Sequence, residues 1–385
     1  MTEPATPPRR LRALLLNLVL LGVTAGVMLS VAEVAVRLIA PQQLIIARPD
    51  IWQPMDSVGW IFRPDLNTTV NTGEGTVHVV TDADGFRVGQ QGRVEGTPRV
   101  LLMGDSFLAA LQVEYEQSLP GLLQRDLPAQ TGTPVAVRNA GVAGWDPPQY
   151  LARTRHLLAR DSFGLAVVFL YVGNDVVPVR RDHIPPLEPA PKARWRFPSR
   201  ISGQEFKDAL FRPANDFLET HSHLFILAKT RLRGLLMRVG LTAEYFPDEF
   251  RRSEATAARW DVTAELCADI AAEAARHNVP LLFVLIPTPW QVETGVWRQY
   301  LASFQIDSAA VDLDQPNRLL TERLRARGIL VHDPLDQLRA RAAAGEKLYG
   351  TVDRHFTPAG HAALEAYVLP LMRERLREAQ TRQQP

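Results

Sequence analysis

The chain has 385 residues, 46% hydrophobic and 22% charged, with a formal net charge of +1. That is enough for one large domain or two modest ones with a sizeable core, and a near-neutral balance without a long basic run excludes an electrostatic footprint for nucleic acid. The single cysteine, Cys267, excludes an intrachain disulfide and a cysteine-zinc site, and its helical surroundings read as those of a small core residue.

Arg9, Arg10 and Arg12 precede an uncharged stretch from Ala13 to Ala32, long enough to cross a bilayer as a helix. Arginines before the span put the N-terminus in the cytoplasm and the rest outside. The organisation expected is a cytoplasmic tail over 1–12 and a membrane helix over 13–36. The rival is a cleaved signal peptide with Ser30-Val31-Ala32 as its small-residue site, although the apolar run exceeds a usual signal core. Gly22 and Gly26 form a GxxxG that either packs two spans together or simply faces lipid. Pro41 stops the helix.

Residues 42–95 form a β-rich lead-in, with its best strand at Thr76–Thr81 and a turn over 82–85. Asn67-Thr68-Thr69 fits the N-glycosylation triplet, a pattern common by chance. From 96 to 377 a regular alternation begins. Strands are expected at 99–103, 135–138, 165–171, 280–286 and 329–331. Helices are expected near 119–127, 148–158, 255–277, 316–327 and 358–377. Such alternation predicts an α/β fold, a mainly parallel five-stranded sheet covered on both faces. Residues 180–254 interrupt it as an inserted cap. The cap is first proline-rich and then becomes a basic amphipathic helix over 221–239. Residues 378–385 read as a polar, frayed tail.

Ligands of parallel α/β sheets bind at the carboxyl ends of the strands. Turn-forming polar residues occupy that edge three times, as Gly104-Asp105-Ser106, Asn139-Ala140-Gly141 and Gly173-Asn174-Asp175. Ser106 alone could be a helix cap. Near the C-terminus, Asp353-Arg354-His355-Phe356-Thr357-Pro358 places His355 in a loop before a helix capped by Thr357. In an extended segment residues two apart share a face, so Asp353 can hold one imidazole nitrogen of His355 while the other takes the proton of Ser106. His361, inside the helix, reads as structural, and His332 beside Asp333 is a weaker rival base. The donors that could face an oxyanion are the N–H of Ser106, the N–H of Gly141, where glycine admits close approach by substrate, and the amide of Asn174. A metal site built from Asp105, Asp175, Asp353 and His355 leaves the serine unexplained and offers one imidazole among carboxylates. No metal or cofactor is expected.

Gly104-Asp105-Ser106-Phe107, Gly141, Gly173-Asn174-Asp175 and Asp353-x-His355 together resemble the four sequence blocks of the GDSL/SGNH hydrolases, over about residues 98 to 375. Gly59-Trp60 and Gly85-Phe86-Arg87 are similar to the lead-in of membrane-anchored bacterial members. The resemblance implies a three-layer, flavodoxin-like fold, with Ser106 as nucleophile and His355 as base held by Asp353. It also implies an oxyanion hole of Ser106, Gly141 and Asn174, with Asp105 and Asp175 in support. Three departures stand out: Phe107 where many members have leucine, Gly173 adjoining Asn174, and Asp-x-His in place of Asp-x-x-His. The last is similar to members involved in exopolysaccharide O-acetylation. The function expected is an extracytoplasmic esterase acting on acyl, chiefly O-acetyl, groups of carbohydrate or cell-envelope polymer. An O-acetyltransferase using the same residues is the alternative, and an idle glycan- or protein-binding domain is a rival of another class.

Overall fold

The computed structural model describes residues 9–42, 44, 49–72, 74–177, 184, 214–215, 217–218, 221–238, 248–293, 295, 297–298, 301, 307–351 and 353–383. Most of the expected cap, including its proline-rich part, lies outside the described residues. The chain divides into two compact units. One comprises Met1–Ile45 with Ala193–Arg233, the other Ile46–Lys192 with Gly234–Pro385.

In the first unit, α1 (Arg9–Ile39) is one continuous helix. Its stretch Leu16–Ile39 is long and apolar enough to cross a membrane. At 1.5 Å per residue, 24 residues reach about 36 Å, against a hydrocarbon core of about 30 Å. Leu16, Leu20 and Val27 are more than half exposed, so among the described residues this apolar surface is left open.

In the second unit, the lead-in strands β1 (Trp52–Met55), β2 (Gly59–Phe62), β3 (Asn67–Asn71), β4 (Thr76–Thr81) and β5 (Arg87–Val88) form a hairpin and a three-stranded antiparallel sheet. The main sheet follows, from β6 (Arg99–Met103), β7 (Ala136–Asn139), β8 (Leu165–Tyr171), β9 (Leu281–Ile286) and β10 (Val331–His332). Its order is β10-β9-β8-β6-β7, parallel throughout. This is the doubly wound arrangement in which the chain starts centrally, winds one way and then reverses, leaving a crevice between β6 and β8.

Alternation along each strand feeds both faces. Leu101, Met103, Ala166, Val168, Leu170 and Phe283 join one apolar cluster, whereas Val100, Leu102, Val167, Phe169 and Val284 join the other. The lead-in shares the first cluster through Ile51, Val58, Phe62, Val79 and Phe86. Cys267 is buried in that cluster as well. Two indole hydrogen bonds tie lead-in to sheet: Trp60 Nε1 donates to Ala143 O at 3.1 Å and Trp145 Nε1 to Trp60 O at 3.0 Å.

Three boundaries differ from expectation. The strand anticipated at 329–331 is Val331–His332, because a helix end consumes the preceding residues: Gly328, at φ 71°, and Ile329 return their N–H groups to Arg325 O and Leu324 O, the Schellman pattern. The strand at 135–138 is Ala136–Asn139, with Asn139 paired to Leu102. The last helix runs from Pro358 to Gln383, past the frayed tail expected from 378, and an Arg375–Glu378 ion pair of 2.8 Å crosses that boundary. At its start Thr357 Oγ1 accepts the N–H of Gly360, as the Thr-Pro signal predicts.

Arg87 anchors the lead-in to the residues after Ser106. It is fully buried. Its Nη1 donates to Ala109 O and Ala110 O, and its Nη2 to Val113 O at 2.8 Å. Burial pulls the guanidinium down to about 10, which still leaves it charged at neutral pH. Arg87→Met orphans these carbonyls and is expected to cost about 3–5 kcal/mol, a fall of about 5–8 °C in melting temperature for a unit of this size. Melting within about 2 °C of the parent would mean that the carbonyls find other donors.

Candidate active site

β6 ends at Met103, and the chain turns through Gly104 and Asp105 into the short helix α2 (Ser106–Ala109). The cap of that helix is Asp105: its Oδ1 accepts the N–H of Phe107 at 2.9 Å. Ser106 is therefore not the cap, and its hydroxyl is left for other work. Ser106 Oγ lies 2.8 Å from His355 Nε2. His355 Nδ1 lies 3.1 Å from Asp353 Oδ1 and 3.1 Å from Asp353 O. Asp353 Oδ2 accepts from Gln112 Nε2, and the Asp353 N–H donates to Glu74 Oε1 at 3.0 Å. Three segments far apart in sequence thus meet at one sheet edge.

The extended segment expected at 353–355 is corrected by the backbone. Arg354 adopts φ 62°, a left-handed turn that folds the Asp353 carboxylate back onto the imidazole. Non-glycine residues pay for that conformation. The turn explains why a single intervening residue suffices to bring the Asp353 carboxylate onto the His355 imidazole.

Burial lowers the pKa of His355. The hydrogen bond and charge of Asp353, with the charge of Asp105, outweigh burial and leave the imidazole above its ordinary value. Asp353 is raised by burial, but its bonds to His355 and Gln112 bring it below the ordinary carboxylate range. Burial raises Asp105. Asp175 is raised well above the usual range, by burial and then by the nearby charge of Asp105.

The remaining expected residues fall into three situations. Asn174, exposed after β8, brings Nδ2 to 3.4 Å from Asp105 Oδ2, beside the serine. Asp175 turns inward instead, accepting from Tyr150 Oη on α4 (Pro147–Leu158) at 3.1 Å and from the Tyr171 N–H at 2.8 Å. It fixes the turn after β8 and is not part of a ligand set with the other carboxylates. The Gly141 N–H, expected to face an oxyanion, donates to Asn139 Oδ1 at 3.0 Å. Asn139 Nδ2 in turn holds Leu108 O at 3.2 Å.

Gly141 is still constrained, for a steric reason. A Cβ there would lie 2.6 Å from Leu108 Cβ and 2.8 Å from Ala109 N. The glycine lets the loop after β7 press against the helix that begins with Ser106, rather than simply making room for substrate. Gly141→Ala must displace that helix. Misplacement by about 1 Å costs on the order of a hundredfold in rate, while overpacking costs about 1–3 kcal/mol in stability. Turnover measured beside thermal melting checks this: a well-folded variant with parental turnover would show that the close approach is dispensable.

Phe107 is more than a packing variant. Its ring centroid lies 4.6 Å from that of His355, 4.3 Å from Tyr171 and 5.0 Å from Phe356, so it forms an aromatic wall that holds the imidazole. Of the two rival histidines, His361 has a structural duty. His361 is buried, accepts the Leu119 N–H at 3.2 Å, and is pulled down by burial to about 3. It is a neutral acceptor at the start of α3 (Leu119–Thr131). Asp333 accepts from Asn317 and from the Leu335 N–H, which serves the loop after β10. Among the described residues, no group of three or more His, Cys, Asp or Glu side chains could hold a metal ion. Sequence reasoning did not single out Gln112 or Glu74; it named Asn139 only within the strand-end run Asn139-Ala140-Gly141 and Arg87 only within the lead-in similarity, with no role for either side chain. Asn139 at the end of an apolar strand was the one local signal.

No protein-family model matches the sequence, and no curated protein matches it. Solved structures do align with it. TesA is 16% identical, covering 72% of this chain and 99% of its own, with TM-score 0.37. A catalytic mutant of an acetylxylan esterase from Geobacillus stearothermophilus is 11% identical, covering 72% of this chain and 95% of its own, with TM-score 0.38. A member of the lipolytic protein G-D-S-L family from Veillonella parvula is 10% identical, covering 71% and 97%, with TM-score 0.36.

Proposed function

We propose that the protein is a membrane-anchored serine esterase acting on O-acyl groups, chiefly acetyl, of carbohydrate or cell-envelope polymer outside the cytoplasm. The observation that carries the esterase reading is the relay at the mouth of the β6–β8 crevice, Ser106 Oγ to His355 Nε2 at 2.8 Å and His355 Nδ1 to Asp353 at 3.1 Å. Ser106 Oγ attacks the ester carbonyl as Nε2 takes its proton, and Asp353 stabilises the imidazolium that forms. The oxyanion of the tetrahedral intermediate is received by the Ser106 N–H and Asn174 Nδ2. The Gly141 N–H joins them by exchanging Asn139 Oδ1 for that oxygen. Collapse breaks the ester C–O bond, and His355 returns the proton to the departing alcohol. The acyl-serine is then cleared by a second nucleophile that His355 deprotonates.

That nucleophile decides between two readings. Water gives hydrolysis, and a sugar hydroxyl gives O-acetyl transfer, which the one-residue spacing of Asp353 and His355 keeps open. The exposed apolar surface of α1 supports the anchor, and the arginines before it support a catalytic unit outside the cytoplasm.

The decisive experiment uses the full-length protein in detergent. A serine-directed phosphonate is expected to label Ser106, and acetylated polysaccharide is expected to lose acetyl groups, both followed by mass spectrometry. Acetyl appearing on added acceptor glycan would assign transfer. Absence of labelling and of acyl turnover would leave the idle binding domain.

A further inference from the structure

The helix α5 (His223–Arg238) starts at a defined level of the chain. Glu33 is the first charged residue after the uncharged stretch of α1, and it grips the start of α5. Its carboxylate accepts from Ser222 Oγ at 2.7 Å, from the His223 N–H at 2.9 Å and from the Leu224 N–H at 2.8 Å. Arg37, paired to Glu33 at 2.7 Å, donates to His221 O, and the Gln42 N–H donates to His223 Nδ1 at 2.8 Å. Counted from Ala13 at 1.5 Å per residue, Glu33 lies about 30 Å along the helix, the thickness of a hydrocarbon core. If α1 spans the membrane, α5 begins at the polar boundary of the bilayer.

The outward face of α5 suits that level. Ala228, Leu232 and Leu235, spaced four and three apart, are exposed, the two leucines at 56% each. At about 100° per residue they form one strip, and the exposed Arg231 and Lys229 lie roughly 70° and 90° to either side of its centre. Lys229 Nζ reaches Asn215 Oδ1 at 3.2 Å and sits 5.8 Å above the Phe225 ring. A narrow apolar strip flanked by cations, whose stems can reach upward to headgroups, is the pattern of a helix lying in a membrane interface.

We propose that α5 is an interfacial helix. It is pinned by Glu33 at the outer boundary of the membrane that α1 crosses. Its Ala228–Leu232–Leu235 strip enters the acyl–headgroup boundary, and Arg231 and Lys229 contact anionic headgroups. This rests on the reading of α1 as a membrane span.

The test uses the full-length chain with Cys267→Ala, reconstituted in vesicles of zwitterionic and anionic phospholipid. Single cysteines carry an environment-sensitive fluorophore in Leu232→Cys, Leu235→Cys, Val23→Cys within α1, and Asp336→Cys, whose parent side chain is fully exposed. Labels at 232 and 235 are expected to be quenched by lipids bearing a nitroxide near the headgroup, and the label at 23, about 15 Å into the span, by lipids bearing the nitroxide deep in the acyl chain. Their accessibility to aqueous iodide should be at least about threefold below that of position 336. In the Lys229→Gln, Arg231→Gln background, this protection should no longer rise with the anionic lipid fraction.

Lipid quenching at 23 with labels at 232 and 235 as iodide-accessible as 336 overturns the proposal and leaves the anchor standing. Shielding from iodide without lipid quenching means that a second copy or another part of the chain covers the strip, which also overturns it. Loss of lipid quenching at 23 removes the anchor itself, and the proposal with it.

Discussion

Ser106→Ala should lower turnover of a small acetyl ester by at least about a thousandfold while leaving the fold intact. The fold should survive because the hydroxyl holds nothing structural. The start of α2 is capped by Asp105, and its end is closed by Ala110, whose N–H bonds to Ser106 O and whose φ is 52°. None of these groups belongs to the serine side chain. The hydroxyl's close partner is His355 Nε2 at 2.8 Å, and its removal deletes the atom to be acylated. Melting should change by less than about 1 kcal/mol equivalent. Unchanged turnover in a folded variant would falsify the serine mechanism.

Asp353→Asn tests the relay from the other end, and its pH dependence carries more information than its rate. His355 accepts the serine proton only when neutral, so activity rises with pH through the imidazole pKa. That pKa is lowered by burial but held above its ordinary value mainly by Asp353. Replacing the carboxylate with an amide removes the raising influence and keeps the burial. The rising limb must therefore move to lower pH. The plateau should also fall, on the order of a thousandfold or more, because an amide N–H facing Nδ1 favours the tautomer whose Nε2 already carries a proton. Rate–pH profiles of parent and variant with the same ester decide the matter. A limb that stays in place, or moves to higher pH, would show that another group sets the histidine.

Chemistry written locally was legible in the sequence. Gly104-Asp105-Ser106 declares a strand end and a helix start within a few residues, and Thr357-Pro358 does the same for the last helix. The apolar runs of β8 and β9 declared their burial on both faces. What was illegible lies in pairings between distant segments. Nothing near Arg87 says that its guanidinium will meet the carbonyls of Ala109, Ala110 and Val113, and nothing near Glu74 points to Asp353. The backbone of Arg354 escaped for another reason. A period of two predicts that residues 353 and 355 share a face in extended chain, and a left-handed turn produces the same neighbourhood by a different path. Gly141 shows the converse: the residue was marked for the space it offers substrate, yet its Cβ direction is filled by Leu108 and Ala109.

The relay has a temporal consequence. Ser106 and His355 are 249 residues apart, Gln112 and Asp353 are 241 apart, and Glu74 and Asp353 are 279 apart. Ribosomes deliver residues at about 5–20 per second, so Ser106 leaves the ribosome on the order of ten seconds or more before His355. Throughout that interval Ser106 lacks both His355 and Asp353. Under the proposed serine mechanism, a growing or prematurely ended chain is silent toward esters, and acyl reactivity appears only when the last segment docks.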